Sequence, residues 1–225
     1  MALMTKIIKR TRVRFPNKLS QDAVRIKGNA PVMKVHVIYA HPLEDSFNAA
    51  LHTLCVSTLQ AAGHEVDDLD LYREGFDPVL SAQDRIEYHD TAINQRRVAG
   101  YVRRLQSADA LVLCHPVWNF GWPAILKGYL DRVFLPDVSF RLVDGKLSPG
   151  FTNIRKVMTV TTYGSPRHRA FILGDPPRKN GTRFLRAVMN RRVGVDYLAL
   201  YNMNNTTPAS REAFKTRVAK ALRRL

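Results

Sequence analysis

From Met33 to the end of the chain, short strand patterns alternate with helical patterns. That alternation restricts the fold more than any other feature. Strand patterns fall at Lys34–Ala40, Glu65–Leu71, Ala110–Cys114, Lys156–Thr162 and Val195–Leu200. Between them lie helical patterns. Ser46–Ala62 carries Phe47, Leu51, Leu54 and Leu59 on one face and closes on Gly63. Ser81–Tyr88, Asn94–Leu105, Ala124–Phe134, Thr182–Asn190 and Pro208–Arg224 complete the set, and Val138–Leu147 reads as a hairpin about Asp144-Gly145. Strands separated by helices pair in parallel, because a tight turn cannot join parallel neighbours. The expected fold is therefore α/β: a three-layer sandwich around a five-stranded, doubly wound parallel sheet. Segments 72–80, 135–154 and 163–181 exceed ordinary connection lengths and are expected to be binding loops.

The 225 residues and 45% apolar content suit one sizeable domain. Residues 33–225 are expected to form it. Residues 1–32 show weak periodicity and carry Pro16, Gly28 and Pro31, which reads as a disordered basic extension; an organellar presequence is the alternative. The net charge of +16 is concentrated. Residues 1–32 hold eight Lys/Arg against Asp22 alone, and residues 155–192 hold ten against Asp175 alone. No helix-turn-helix, zinc-finger or RNA-recognition signature accompanies this charge, so nucleic acid is not expected as a partner. The charge reads first as a solvated basic surface; a second reading makes the 155–192 cluster a landing site for an anionic cosubstrate or an acidic partner. One or more of Arg167, Arg169, Arg178, Lys179 and Arg183 could meet a phosphate on such a cosubstrate. No apolar run is long enough to span a membrane. Cys55 and Cys114 lack metal-ligand spacing and read as buried hydrophobes in a reducing compartment, so a cytoplasmic protein without a metal is expected.

Three segments follow the ends of the first, third and fourth strands, the rim where open parallel sheets bind ligands. After the first comes His41-Pro42-Leu43-Glu44-Asp45-Ser46-Phe47-Asn48. Ser46 is a helix N-cap, leaving free amides and a positive dipole end where a phosphate would sit; ordinary capping explains it equally. After the third comes Pro116-Val117-Trp118-Asn119-Phe120-Gly121-Trp122-Pro123. Its backbone amides could meet a flat ring, and its aromatics read either as ring walls or as core packing. After the fourth comes Thr161-Thr162-Tyr163-Gly164-Ser165-Pro166, a polar turn. The first segment lacks the glycine fingerprint of a dinucleotide-binding loop.

From Met33 onward these segments resemble the flavodoxin-like NAD(P)H:quinone oxidoreductase family, which includes drug-modulator and azo-reducing enzymes and ancillary flavoproteins of potassium-efflux systems. The resemblance rests on His41…Ser46-Phe47-Asn48, on Pro116…Phe120-Gly121-Trp122-Pro123-Ala124-Ile125-Leu126-Lys127-Gly128, and on Thr161-Thr162 with Gly164. It implies a non-covalent flavin, FAD or alternatively FMN. His41, Ser46, Phe47 and Asn48 would take its phosphate. Pro116, Val117, Trp118, Asn119 and Phe120 would take its ring, and Thr161, Thr162, Tyr163 and Gly164 the ring's polar edge. It implies NAD(P)H as cosubstrate, a quinone-like acceptor, ping-pong hydride transfer and a homodimer. One alternative is a regulatory subunit on an acidic membrane partner. The family's fourth-strand loop reads Thr-Thr-Gly-Gly, whereas Tyr163 stands here at the first glycine. Tyr163 and His168 are the candidates for proton donation to the acceptor. Tyr163 serves equally as a stacking wall, and His168 as a solvated loop histidine.

Overall fold

The computed structural model describes residues 31–190 and 192–225, so the expected extension over residues 1–32 lies almost wholly outside the described residues. The five expected strands form one parallel sheet. β1 is Lys34–Tyr39, β2 Glu65–Asp70, β3 Ala110–Val117, β6 Lys156–Tyr163 and β7 Gly194–Leu200, in the order β2-β1-β3-β6-β7. The expected hairpin is present as β4 (Phe140–Val143) and β5 (Lys146–Pro149). Its turn places Asp144 and Gly145 at φ 51° and 72°, the left-handed pair that a two-residue hairpin requires.

Apolar side chains fill both faces of the sheet. On one face Val35, Val37, Val112 and Val160 meet Leu51, Cys55 and Leu59 of α1 (Phe47–Ala61) and Phe214 and Val218 of α8 (Pro208–Leu222). On the other, Ile38, Leu111, Leu113 and Val157 meet Val102 and Leu105 of α3 (Ala99–Ser107) and Leu126, Tyr129 and Val133 of α4 (Ala124–Val133). Each helix covers the sheet because its apolar residues recur at helical spacing, and each strand presents alternate residues to opposite faces. Gly128 lets α4 approach the 72–80 segment, since a Cβ there would overlap Pro78.

Three boundaries differ from expectation, each for a local reason. β3 runs three residues past Cys114, through Pro116. β1 ends at Tyr39, opposite Cys114, so Pro116 pairs only with Thr162 of β6 and no ladder bond is lost on its open side. The helix expected from Asn94 starts at Ala99. Asp90 accepts from the Ala92 amide, and Asn94 donates to the carbonyls of Tyr88 and Pro136, so both side chains favour turns over helix. The 163–181 segment is largely helical: α5 (Arg167–Ile172) and α6 (Pro176–Lys179) are followed by a π turn (Asn180–Phe184) and α7 (Leu185–Val188). α2 (Ala82–Glu87) starts on Ser81 with a reciprocal cap to Asp84.

Candidate functional site

β1 crosses to β2 on one side and its other neighbour is β3, so the chain reverses direction across the sheet between β1 and β3. The loops after β1, β3 and β6 leave the same rim, as the register of the three parallel strands requires.

After β1, Ser46 caps α1 by accepting from the Ala49 amide at 3.0 Å. The amides of Phe47 and Asn48 are left without acceptors among the described residues, as at any helix start. His41 Nδ1 accepts from the Leu43 amide at 3.1 Å. The neutral ring therefore carries its proton on Nε2, which remains a free donor. Partial burial lowers the pKa of His41, favouring that neutral form. Its ring lies 5.6 Å from that of Trp118, joining the first and second loops. Asn48 is buried, and its Nδ2 donates to Thr162 Oγ1 at 2.9 Å, tying the start of α1 to the end of β6.

After β3, the chain closes a tight turn. Trp118 and Gly121 exchange both backbone hydrogen bonds, at 3.1 and 2.8 Å, around Asn119 at φ 49° and Phe120 at φ 54°. Left-handed backbone is tolerable for Asn but costs a phenylalanine of order 1–3 kcal/mol. The geometry holds the Asn119 and Phe120 amides away from every protein acceptor among the described residues and leaves Trp118 40% exposed. Trp122, by contrast, is core: it is buried with its ring 5.6 Å from that of His115. His115 Nδ1 donates to the Pro116 carbonyl at 2.8 Å, and burial pushes the imidazole down to about 4, so it is neutral at ordinary pH.

After β6, Tyr163, Gly164 and Ser165 line a cleft of roughly 490 Å3 together with Val117, Trp118, Asn119 and Phe120. The Tyr163 side chain is 1% exposed. Its hydroxyl donates to Asp175 Oδ1 at 2.7 Å and meets Tyr197 Oη at 2.6 Å. A phenol has one hydrogen, so Tyr197 donates to Tyr163. Tyr201 packs on the Tyr163 ring at 4.4 Å and donates to Asp175 Oδ2 at 3.2 Å. Burial first, then the neighbouring phenol and carboxylate, holds Tyr163 far above the usual phenol range. His168 is exposed on α5 and is not among the residues that line the cleft. The Tyr197–Tyr201–Asp175 cluster carried no sequence signal: its members meet at Tyr163 only once β7 has paired beside β6.

An open parallel sheet with a helix N-terminus and an aromatic turn at its switch point belongs to the doubly wound α/β class. Residues 33–225 match the family described as Flavodoxin-like fold, and the chain belongs to that family. It is 31% identical over 131 residues to an uncharacterised NAD(P)H oxidoreductase of Escherichia coli, covering 56% of this chain and 64% of that one. It is 30% identical over 153 residues to NAD(P)H dehydrogenase [quinone] 1 of Cavia porcellus, covering 60% of this chain and 55% of the relative. The chain thus spans less than two thirds of the length of these curated relatives. Among solved structures, Smu.1420 of Streptococcus mutans superposes with a TM-score of 0.74 at 27% identity, covering 86% of this chain and all of that one. An FMN-dependent NADH-azoreductase of Bacillus anthracis shares the fold at 13% identity and a TM-score of 0.68, over 85% of this chain and 98% of its own. The resemblance drawn from the three loops therefore holds. Among the described residues no helix is long and apolar enough to cross a membrane, and no cluster could hold a metal ion.

Proposed function

We propose that this protein is a flavin-dependent oxidoreductase that uses NAD(P)H to reduce quinones or similar flat aromatic acceptors. The observation that carries the reading is the Trp118–Gly121 turn, a strained loop that lines an open cleft and leaves two amides unpaired. The rest of the rim fits a flavin. Its phosphate would meet the free Phe47 and Asn48 amides, the helix dipole and His41 Nε2–H. Its ring would lie against Trp118, with the Asn119 and Phe120 amides at its polar edge. Asn48 Oδ1 and Thr161 Oγ1 are buried without partners near the same strand ends, as expected of groups with further bonds to make. When bound, the flavin supplies reversible hydride acceptance, and the protein supplies orientation and electrostatics.

Within this reading the chain's own groups divide their work. The Asn119 and Phe120 amides would be positioned to oppose negative charge on a bound flavin. Asn48 acts as a brace, because its amide nitrogen is committed to Thr162. Tyr163 acts as wall and anchor, because its hydroxyl is committed to Asp175. Proton delivery then comes from solvent or the acceptor's own surroundings, not from Tyr163 or His168. FAD is the form favoured by the His41…Ser46-Phe47-Asn48 spacing, with FMN second. A homodimer belongs to the same proposal, supported by an apolar groove of roughly 460 Å3 lined by Leu80, Tyr88, Leu130, Phe134 and Phe184. Cytoplasmic action is supported by the two free, buried cysteines.

The test is the absorbance of the purified protein, with any released pigment identified by mass. Flavin bands that bleach on anaerobic NAD(P)H and recover on addition of a quinone support the proposal. A colourless protein that takes up neither FAD nor FMN overturns it.

A further inference from the structure

A second concavity, of roughly 560 Å3, opens between α5 and the 174–183 segment. Arg167, Arg178, Lys179 and Arg183 line it, and none of the four forms an ion pair among the described residues. Asp175 is the one carboxylate in its wall, and both of its oxygens already accept from tyrosine hydroxyls. Four cations thus converge on a hollow whose only acid is engaged elsewhere. Like charges gathered this way repel one another, an arrangement that an anionic ligand relieves.

The hollow is joined to the ring cleft. Tyr163 lines the cleft, Tyr201 lines the hollow, and their rings pack at 4.4 Å. Only Ser165 and Pro166 separate Gly164, in the cleft, from Arg167, in the hollow. The Arg178 guanidinium carbon lies 4.9 Å from the centre of the Tyr197 ring, a cation–π contact that favours one direction for the side chain. Phe171, 80% exposed at the mouth, offers a face on which a base can stack. The two concavities are therefore neighbours, and a long ligand with a flat ring in the cleft has this hollow beside it.

We propose that the hollow binds the phosphorylated adenosine end of NADPH and that Arg167, Lys179 and Arg183 select it over NADH through the 2′-phosphate. The inference rests on the oxidoreductase reading and names its reductant. Charge decides between the two dinucleotides. A phosphate monoester adds about −1.5 to −2 charge near neutral pH, which the pyrophosphate common to both does not supply. A site with four cations and one engaged carboxylate has positive charge to spare for it. Arginine pairs suit a monoester because each can make two parallel bonds to its oxygens.

The test titrates the purified protein calorimetrically with 2′,5′-ADP, 5′-AMP and inorganic phosphate, which needs no turnover. Binding of 2′,5′-ADP at least about tenfold tighter than 5′-AMP is expected, as is the loss of most of that preference in Arg183→Gln and Arg167→Gln. In steady state, Arg183→Gln should raise KM for NADPH about tenfold while leaving KM for NADH within about twofold. Equal affinity for 2′,5′-ADP and 5′-AMP overturns the proposal, even in a yellow protein that turns over. Inorganic phosphate that binds as tightly as 2′,5′-ADP also overturns it, making the hollow a plain anion site. A colourless protein that still prefers 2′,5′-ADP keeps the hollow as assigned while removing the flavin reading.

Discussion

Arginines occupy two regions of this molecule in opposite ways. Beside β2, Arg104 grips both carboxylate oxygens of Asp67 at 3.0 and 3.1 Å, reaches Glu74 at 2.8 Å and donates to the Asp68 carbonyl at 2.7 Å. Arg97 bridges Asp84 and Glu87, and Arg132 bridges Asp77 and Asp84. Around 167–183 the cations face a hollow and pair with none of the described carboxylates. The first arrangement stiffens the sheet edge; the second leaves charge available to a ligand. Arginine content by itself does not separate the two. What separates them is where the acids go: seven lie between Asp67 and Glu87, against Asp175 alone in the basic segment.

Four measurements would break or sharpen this contrast. The largest effect is expected for Arg104→Ala. It strips Asp67 and Glu74 of a partly buried, multiply bonded partner and should cost about 2–3 kcal/mol by urea unfolding. An effect below about 0.5 kcal/mol would place Arg104 with the idle cations. Next comes acid. Burial pushes the Asp67 carboxyl up, but the bonds and charges of His36 and Arg104 outweigh it and hold the group below the usual carboxylate range. Its contribution is therefore complete above the unfolded pKa near 4 and is lost as pH falls through the depressed native value. Urea midpoints should drop steadily below about pH 4 in the wild type and more shallowly in Arg104→Ala.

Tyr163→Phe comes third. It removes one of the two phenols that engage Asp175 and should cost about 1 kcal/mol. The released carboxylate becomes available to the cations of the hollow, so 2′,5′-ADP affinity should fall about two- to threefold while flavin content is unchanged. Unchanged affinity would show that Asp175 does not govern the pocket. The smallest effect is the stability of Arg183→Ala, expected to stay within about 0.5 kcal/mol of the wild type. A larger loss would mean that the basic region is structural after all.

The sheet was legible because its strands are β-branched runs between capped helices; Ser46, Ser81 and Thr207 each mark a start by a real side-chain bond. The rim loops were legible as a set for the same reason, since parallel strands must send those loops to one edge. The helices of the 163–181 segment were not. Pro166, Gly174, Pro176 and Pro177 read as punctuation, yet Pro166 stands at the cap of α5 and Pro176 opens α6. The turn at Trp118 was half legible: Asn119 tolerates left-handed backbone, whereas nothing local announces it for Phe120. Where the Tyr163 hydroxyl points was invisible, because Asp175 and Tyr197 reach it only after distant segments pack.

The register of the sheet also sets an order of events. Val35 pairs with Ala110, and Ala110 pairs with Lys156. Neither pairing is local, so the three rim loops become neighbours only after two long closures, the slow kind in folding. During synthesis the loop after β1 is made well before the Trp118–Gly121 turn and the loop after β6 that share its rim. On the proposed function, a flavin would meet its complete rim only on a sheet whose three central strands have already paired.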